Sequence, residues 1–153
     1  HLETPSVNYS TEQWRDRERL PFAAAIAEQV DMVMTTHLVA KDWDDIIITG
    51  SAGIVHDRLR DDLGFDGVVV TDDLLMGGAA QLGDCGQRAV AALSAGHDLL
   101  LFGEEIDQSQ EAYEAVKAAV RSGEIPAEQV QQALDRVATL KLKLARLPID
   151  NQR

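Results

Sequence analysis

The sequence predicts a parallel α/β fold in which buried strands alternate with amphipathic helices. Three observations carry this reading. Short, nearly continuous apolar runs occur at Met32-Val33-Met34-Thr35-Thr36, Gly67-Val68-Val69-Val70-Thr71 and Asp98-Leu99-Leu100-Leu101-Phe102, the pattern of strands covered on both faces. Segments with apolar residues at three- and four-residue steps separate them. The runs recur at the length of a strand-plus-helix unit, and polar or acidic residues follow each one. Two architectures fit: an open doubly wound sheet, or part of a TIM-type (β/α)8 barrel. A full barrel takes about 250 residues, so a chain of 153 holds three clear units and a tail, and on the barrel reading it is a fragment.

Residues 1–20 are polar and read as a loop entering a helix. The helix runs from Leu20 to Val30, with Phe22, Ala23, Ile26 and Ala27 on one face and Pro21 in its first turn. The first strand closes on His37, and a polar loop with Asp42, Trp43, Asp44 and Asp45 follows. A second helix, Ala52 to Leu63, carries Ile54, Val55 and Leu59, turns at Gly64 and enters the second strand, which ends on Asp72 and Asp73. A third unit passes through Arg88–Leu93 and Gly96 into the strand 98–102. Helices at 111–122 and 127–147 close the chain, the latter capped by Pro126.

Composition narrows the partners. The net charge is −12, so phosphate backbones and anionic lipid are disfavoured and a neutral or cationic ligand is expected. The apolar runs fall far short of the ~20 residues of a membrane helix, and no signal segment opens the chain. The single Cys85 excludes an internal disulfide and a cysteine-based zinc site, and is compatible with a reducing compartment. No histidine pair stands at metal-ligand spacing, and Gly50-Ser51-Ala52-Gly53 is a weak dinucleotide signal. No metal and no cofactor is therefore expected.

In both architectures ligands bind beyond the carboxyl ends of the strands. The candidates there are Thr36 and His37, then Thr71, Asp72 and Asp73, then Gly103, Glu104 and Glu105. Side chains alternate along a strand, so Asp72 and Asp73 do not both point inward. Asp72 continues the register as the inward carboxylate, and Asp73 caps the following turn or pairs with a base. His37 stands where it either binds a hydroxyl or serves the structure, whereas His56 and His97 read as structural. Met76 reads as core, and His1, being terminal, is not judged by pattern.

Taken together, Val33-Met34-Thr35-Thr36-His37, Leu63-Gly64-Phe65-Asp66-Gly67-Val68-Val69-Val70-Thr71-Asp72-Asp73-Leu74-Leu75-Met76 and Ala95-Gly96-His97-Asp98-Leu99-Leu100-Leu101 resemble the second half of family 3 glycoside hydrolases, most closely their bacterial β-N-acetylglucosaminidase (β-N-acetylhexosaminidase) branch. His1-Leu2-Glu3-Thr4-Pro5 is similar to the tail of that branch's Asp-Ser-His loop. The resemblance implies that residues 1–153 are the carboxy-terminal part of a single barrel domain whose amino-terminal part this chain lacks. It implies Asp72 as catalytic nucleophile and His1 as general acid/base in retaining hydrolysis of terminal β-linked N-acetylglucosamine, with cell-wall peptidoglycan fragments as the source. His37 is the substrate-binding candidate. The implied partners are a carbohydrate and the remaining part of the barrel, and the expected location is cytoplasmic, with periplasmic or secreted alternatives.

The chain departs from the family pattern in places. The aspartate two positions before the histidine and the Lys-His-Phe-Pro-Gly-His-Gly stretch are absent, and Ile46-Ile47-Ile48-Thr49-Gly50-Ser51 replaces the usual Pro-Ala-Thr-Leu-Ser. A phosphorylase on the same fold is the close alternative. A non-catalytic or receiver-like signalling module is the distant one, and Phe102-Gly103-Glu104 stands where a receiver needs lysine. The barrel reading carries structural expectations of its own. The three strands should be neighbours in sequential order. The faces Val55/Leu59 and Val90/Leu93 should be partly uncovered, leaving the chain alone inactive and prone to associate. The weakly anchored segment 1–11 should hold His1 in a mobile loop.

Overall fold

The computed structural model describes residues 4–8, 10–103 and 106–146. A short strand β1 (Ser6–Val7) leads into a helical stretch of three joined pieces: α1 (Thr11–Gln13), a wider π-helical turn (Trp14–Glu18) and α2 (Arg19–Ala27). The helix begins earlier than expected because Ser10 and Gln13 form a capping box. The Ser10 hydroxyl accepts the Gln13 amide at 3.1 Å, and the Gln13 side chain accepts the Ser10 amide at 3.0 Å.

Strand β2 (Met32–Met34) follows, then β3 (Val39–Ala40), a π-wound helix over Gly53–Asp62 and strand β4 (Val68–Val70). The turn before β4 uses Gly64 at φ +68°, where a side chain would be strained. Helices α3 (Cys85–Ser94), α4 (Ile106–Ser122) and α5 (Ala127–Ala145) complete the chain. Asp84 and Gln87 form a second capping box at the start of α3.

Strands β2 and β4 pair in parallel, Val33 opposite Val69. The third apolar run extends this pair on the far side of β4 through a parallel bridge, Val70 opposite Leu99. There the Thr71 amide donates to Leu99 at 3.1 Å and the Leu74 amide to Leu101 at 2.9 Å. Among the described residues no strand intervenes, so the three runs are neighbours in sequence order. The last one makes a bridge at Leu99 where a full strand over 98–102 was expected.

Val33 and Val69 face the helices, packing with Val55, Leu59, Phe65 and Ile26. A second cluster joins α3, α4 and α5 around Leu93, Ala119 and Ile125, with Val90 packed against it. The expectation that Val55/Leu59 and Val90/Leu93 lie partly uncovered holds for Val90, which is half-buried, and is corrected for the other three: Val55 and Leu59 are buried against α2, β2 and β4, and Leu93 against α4 and α5. Exposed apolar side chains include Met32 and Met34 of β2, the latter 54% exposed, and Leu20 and Phe22 of α2. Further leucines, Leu134, Leu142 and Leu144, stand exposed on α5. No helix among the described residues is long and apolar enough to cross a membrane.

A charged knot ties the layers together. The Asp98 side chain is fully buried. Its Oδ2 accepts Arg60 Nη2 and the Val69 amide, both at 2.8 Å, and its Oδ1 accepts Arg136 Nε at 2.9 Å. Arg60 also donates to the carbonyls of Phe65 and Gly67. Burial lowers the Arg60 pKa, and the Asp98 charge opposes that shift.

The neighbouring His97, 1% exposed, donates Nδ1–H to the Ala92 carbonyl at 2.9 Å, which leaves Nε2 to accept the Thr35 hydroxyl at 2.8 Å. Burial pushes its imidazole down to about 4 from 6.5, with the Ala92 bond and the Asp98 charge opposing.

Both buried groups should be visible in stability measurements. Asp98→Asn should cost about 3 kcal/mol of unfolding free energy in urea titrations, because it leaves two half-buried arginines without their counter-charge. The depressed His97 pKa means that the unfolded chain binds the proton first. Stability is therefore full above about pH 6.5 and falls as the pH drops towards 4, by on the order of 3 kcal/mol. In His97→Asn the slope of stability against pH across this window should shrink.

Candidate active site

The carboxyl ends of β2, β4 and the 98–101 segment share one rim, where most of the expected residues meet. Asp72 stands two residues past the end of β4, in a bend, and is half-buried. Its Oδ1 accepts the Asp73 amide at 2.8 Å.

Asp73 is held on every side. Its Oδ1 accepts the Leu75 amide at 2.9 Å and the Gly103 amide at 3.2 Å, so one carboxylate joins its own turn to the loop after the third run. Its carbonyl accepts the Met76 amide at 3.0 Å and lies 2.9 Å from His37 Nε2. Asp73 thus caps the turn after the strand, as alternation of side chains implied. The loop allows this because position 103 is glycine: a Cβ there would lie 2.7 Å from Asp73 Oδ2.

Past Asp73 the loop is fixed from two directions. Leu74 is fully buried, Arg88 donates to the carbonyls of Leu74 at 2.8 Å and Gly83 at 2.7 Å, and a 3-10 turn covers Gly77–Leu82.

His37 is 3% exposed. A carbonyl only accepts, so Nε2 carries the hydrogen that it shares with Asp73, and Nδ1 meets the Thr49 hydroxyl at 2.8 Å. Thr49, fully buried, also lies 3.2 Å from the Thr36 carbonyl. Both ring nitrogens are thus engaged by protein groups. No sequence signal pointed to Thr49, which belongs to the stretch that departs from the family pattern.

His1, Glu104 and Glu105 lie outside the described residues. The segment beside His1 does not fit the expected weak anchoring. The Thr4 hydroxyl donates to the Gly78 carbonyl at 3.1 Å, and β1 pairs in parallel with β3, Ser6 opposite Val39. Residues 4–7 are therefore tied both to the loop that follows Asp72 and to the loop that follows His37.

The larger clefts lie away from Asp72. One, at the amino ends of the strands, is bordered by Asp31, Phe65, Arg136 and Lys143. An apolar cleft lies between Trp14, Trp43 and Leu59. Among the described residues no three His, Cys, Asp or Glu side chains come together as metal ligands. The arrangement supplies two adjacent carboxylates, Asp73 bonded to two backbone amides of its turn and the next loop and Asp72 half-buried beside it.

Residues 1–140 match the family model described as the glycosyl hydrolase family 3 N terminal domain. A β-hexosaminidase of Actinobacillus succinogenes is 44% identical over 108 residues, covering 70% of this chain and 31% of that protein. A β-N-acetylglucosaminidase/β-glucosidase of Cellulomonas fimi is 32% identical over 94% of this chain and 27% of its own length. The solved structure of a glycoside hydrolase family 3 β-N-acetylglucosaminidase from Paenibacillus superposes with a TM-score of 0.91 at 33% identity, over 99% of this chain and 30% of that one. The chain thus spans about three tenths of the length of these relatives.

The two adjacent acids should separate in a stability measurement. Asp73→Ala removes the acceptor of two backbone amides and should cost about 2–3 kcal/mol. Asp72→Asn keeps an acceptor for the Asp73 amide and should stay within about 0.5 kcal/mol of the parent in the same denaturation assay.

Proposed function

Because the chain belongs to the family 3 glycoside hydrolases, we propose that it is the carboxy-terminal, nucleophile-bearing part of a single (β/α)8 barrel domain that releases terminal β-linked N-acetylglucosamine with retention. The observation that carries this reading is that Asp72 follows the carboxyl end of β4 by two residues, with one oxygen held by the Asp73 amide; alternation along the strand would turn it inward. Sequential parallel order of the three runs supports the barrel. The relatives named for β-hexosaminidase and β-N-acetylglucosaminidase activity support the sugar.

In the proposed mechanism the Asp72 carboxylate attacks the anomeric carbon while the glycosidic bond breaks and His1 protonates the departing oxygen. Water then attacks the same carbon. His1 takes its proton, the bond to Asp72 breaks, and the carboxylate is restored. A histidine suits this double role because its unperturbed pKa near 6.5 lets it give and accept a proton at neutral pH.

The remaining part of the barrel would supply the sugar pocket, so the chain by itself is inactive on this reading. Peptidoglycan fragments in the cytoplasm are the proposed substrate source. The receiver-like alternative has no support once the family is known.

The test uses the complete protein and an aryl N-acetyl-β-glucosaminide. Asp72→Ala should lower turnover by at least about a thousandfold. A fluorinated analogue that slows breakdown of the glycosyl-enzyme should label the peptide containing Asp72. Label on Asp73, or full activity in Asp72→Ala, would overturn the assignment. Product analysis with and without inorganic phosphate separates hydrolysis from phosphorolysis, and a sugar phosphate as the main product would replace the hydrolase by the phosphorylase.

A further inference from the structure

We infer that His37 is a positioning residue for the Asp72 carboxylate and not a ligand for the sugar. The inference rests on the proposed role of Asp72 as nucleophile and concerns what aims it.

Asp73 is the link between the two residues. Three of its groups are engaged. The side chain is held by the amides of Leu75 and Gly103, the carbonyl by the Met76 amide and by His37 Nε2–H, and the amide is left to point at Asp72 Oδ1. With side chain and carbonyl immobilised, the two backbone dihedrals of Asp73 have little freedom, and the direction of its N–H is set. That N–H is the hydrogen bond that holds one oxygen of the nucleophile. Of the atoms gripping the carbonyl, the Met76 amide belongs to the same turn. His37 comes from the neighbouring strand end, and its bond ties the carbonyl to the rest of the rim.

The ring is placed for this task. It is almost wholly buried, and its second nitrogen rests on Thr49, itself fully buried and within reach of the Thr36 carbonyl. A sugar hydroxyl would have to displace either Thr49 or the Asp73 carbonyl to bond this imidazole. The bond to Asp73 joins a ring N–H to a part-buried carbonyl, and losing it leaves that carbonyl with the Met76 amide of its own turn and without its tie to the neighbouring strand end. Misplacing a reacting group by about 1 Å costs on the order of a hundredfold in rate, so the frame need shift only slightly to be felt at Asp72.

The experiment compares three substitutions in the complete protein. Glutamine carries an amide nitrogen at the position of Nε2 and can donate to the Asp73 carbonyl. Asparagine reaches only the Nδ1 position, and phenylalanine donates nothing. His37→Phe and His37→Asn should lower kcat on an aryl N-acetyl-β-glucosaminide by about a hundredfold, with the dissociation constant of free N-acetylglucosamine, measured by calorimetry, within about twofold of wild type. His37→Gln should recover to within about tenfold. If the phenylalanine variant does not accumulate, the asparagine and glutamine pair carries the comparison.

A kcat within about threefold of wild type in His37→Asn would overturn the proposal, as would weaker N-acetylglucosamine binding with kcat retained. Wild-type turnover and its loss in Asp72→Ala are the controls. Without them the glycosidase reading falls and takes this inference with it, whereas controls that hold beside a fully active His37→Asn remove this inference alone.

Discussion

The fully buried carboxylate of Asp98 is the interaction on which the rest of the fold depends. It sits at the start of the third run and accepts from three different elements: the backbone of β4 at Val69, Arg60 of the π-wound helix and Arg136 of α5. A carboxylate taken out of water is costly unless its oxygens are all answered, and here each bond also fixes a distance between two layers. Arg60 repeats the pattern by gripping the carbonyls that flank the turn into β4. The amino ends of the strands are therefore registered by charge, while the apolar side chains of Val33, Val69, Leu59 and Phe65 fill the space between strands and helices. With the amino ends fixed, the carboxyl ends are carried to a common rim.

The rim is built differently. No ion pair is found around Asp72 and Asp73 among the described residues; the bonds there are from backbone amides and from one imidazole. Asp73 is the residue through which three loops are joined, while Asp72, one position earlier, is half-buried and accepts the Asp73 amide. That division suits a reacting carboxylate. A group whose charge must change during a reaction is poorly suited to hold a structure together, and its neighbour takes that load.

Much of this is legible in the sequence. The apolar runs locate β2, β4 and the 98–101 segment, and strand alternation anticipates that Asp73 caps the turn after β4. What is not legible is of two kinds. The two-residue pair β1–β3 is too short for periodicity to register, although the Ser10–Gln13 capping box marks the helix start in readable form. The partners of buried polar groups are long-range: Arg60 and Arg136 each lie 38 residues from Asp98, and Thr49 lies 12 from His37. Spacing along a chain carries no information about such pairs, because the sheet and not the local helix or turn brings them together. His37 shows the consequence. Its position at a strand end suggests a ligand, and only its neighbours reveal that both nitrogens are already occupied.

The same two elements that hold Asp73 also hold the segment next to His1. Strand β3, shortly after His37, receives β1 in parallel, and Gly78, in the loop after Asp73, receives the Thr4 hydroxyl. Residues 37–40 and 73–78 thus serve twice: His37 and the turn of Asp73 meet at the Asp73 carbonyl, and β3 and Gly78 receive the segment 4–7. Any movement of either loop would therefore be felt both at the backbone that bonds Asp72 and at the root of the segment before β1, because the same short stretches carry both sets of hydrogen bonds.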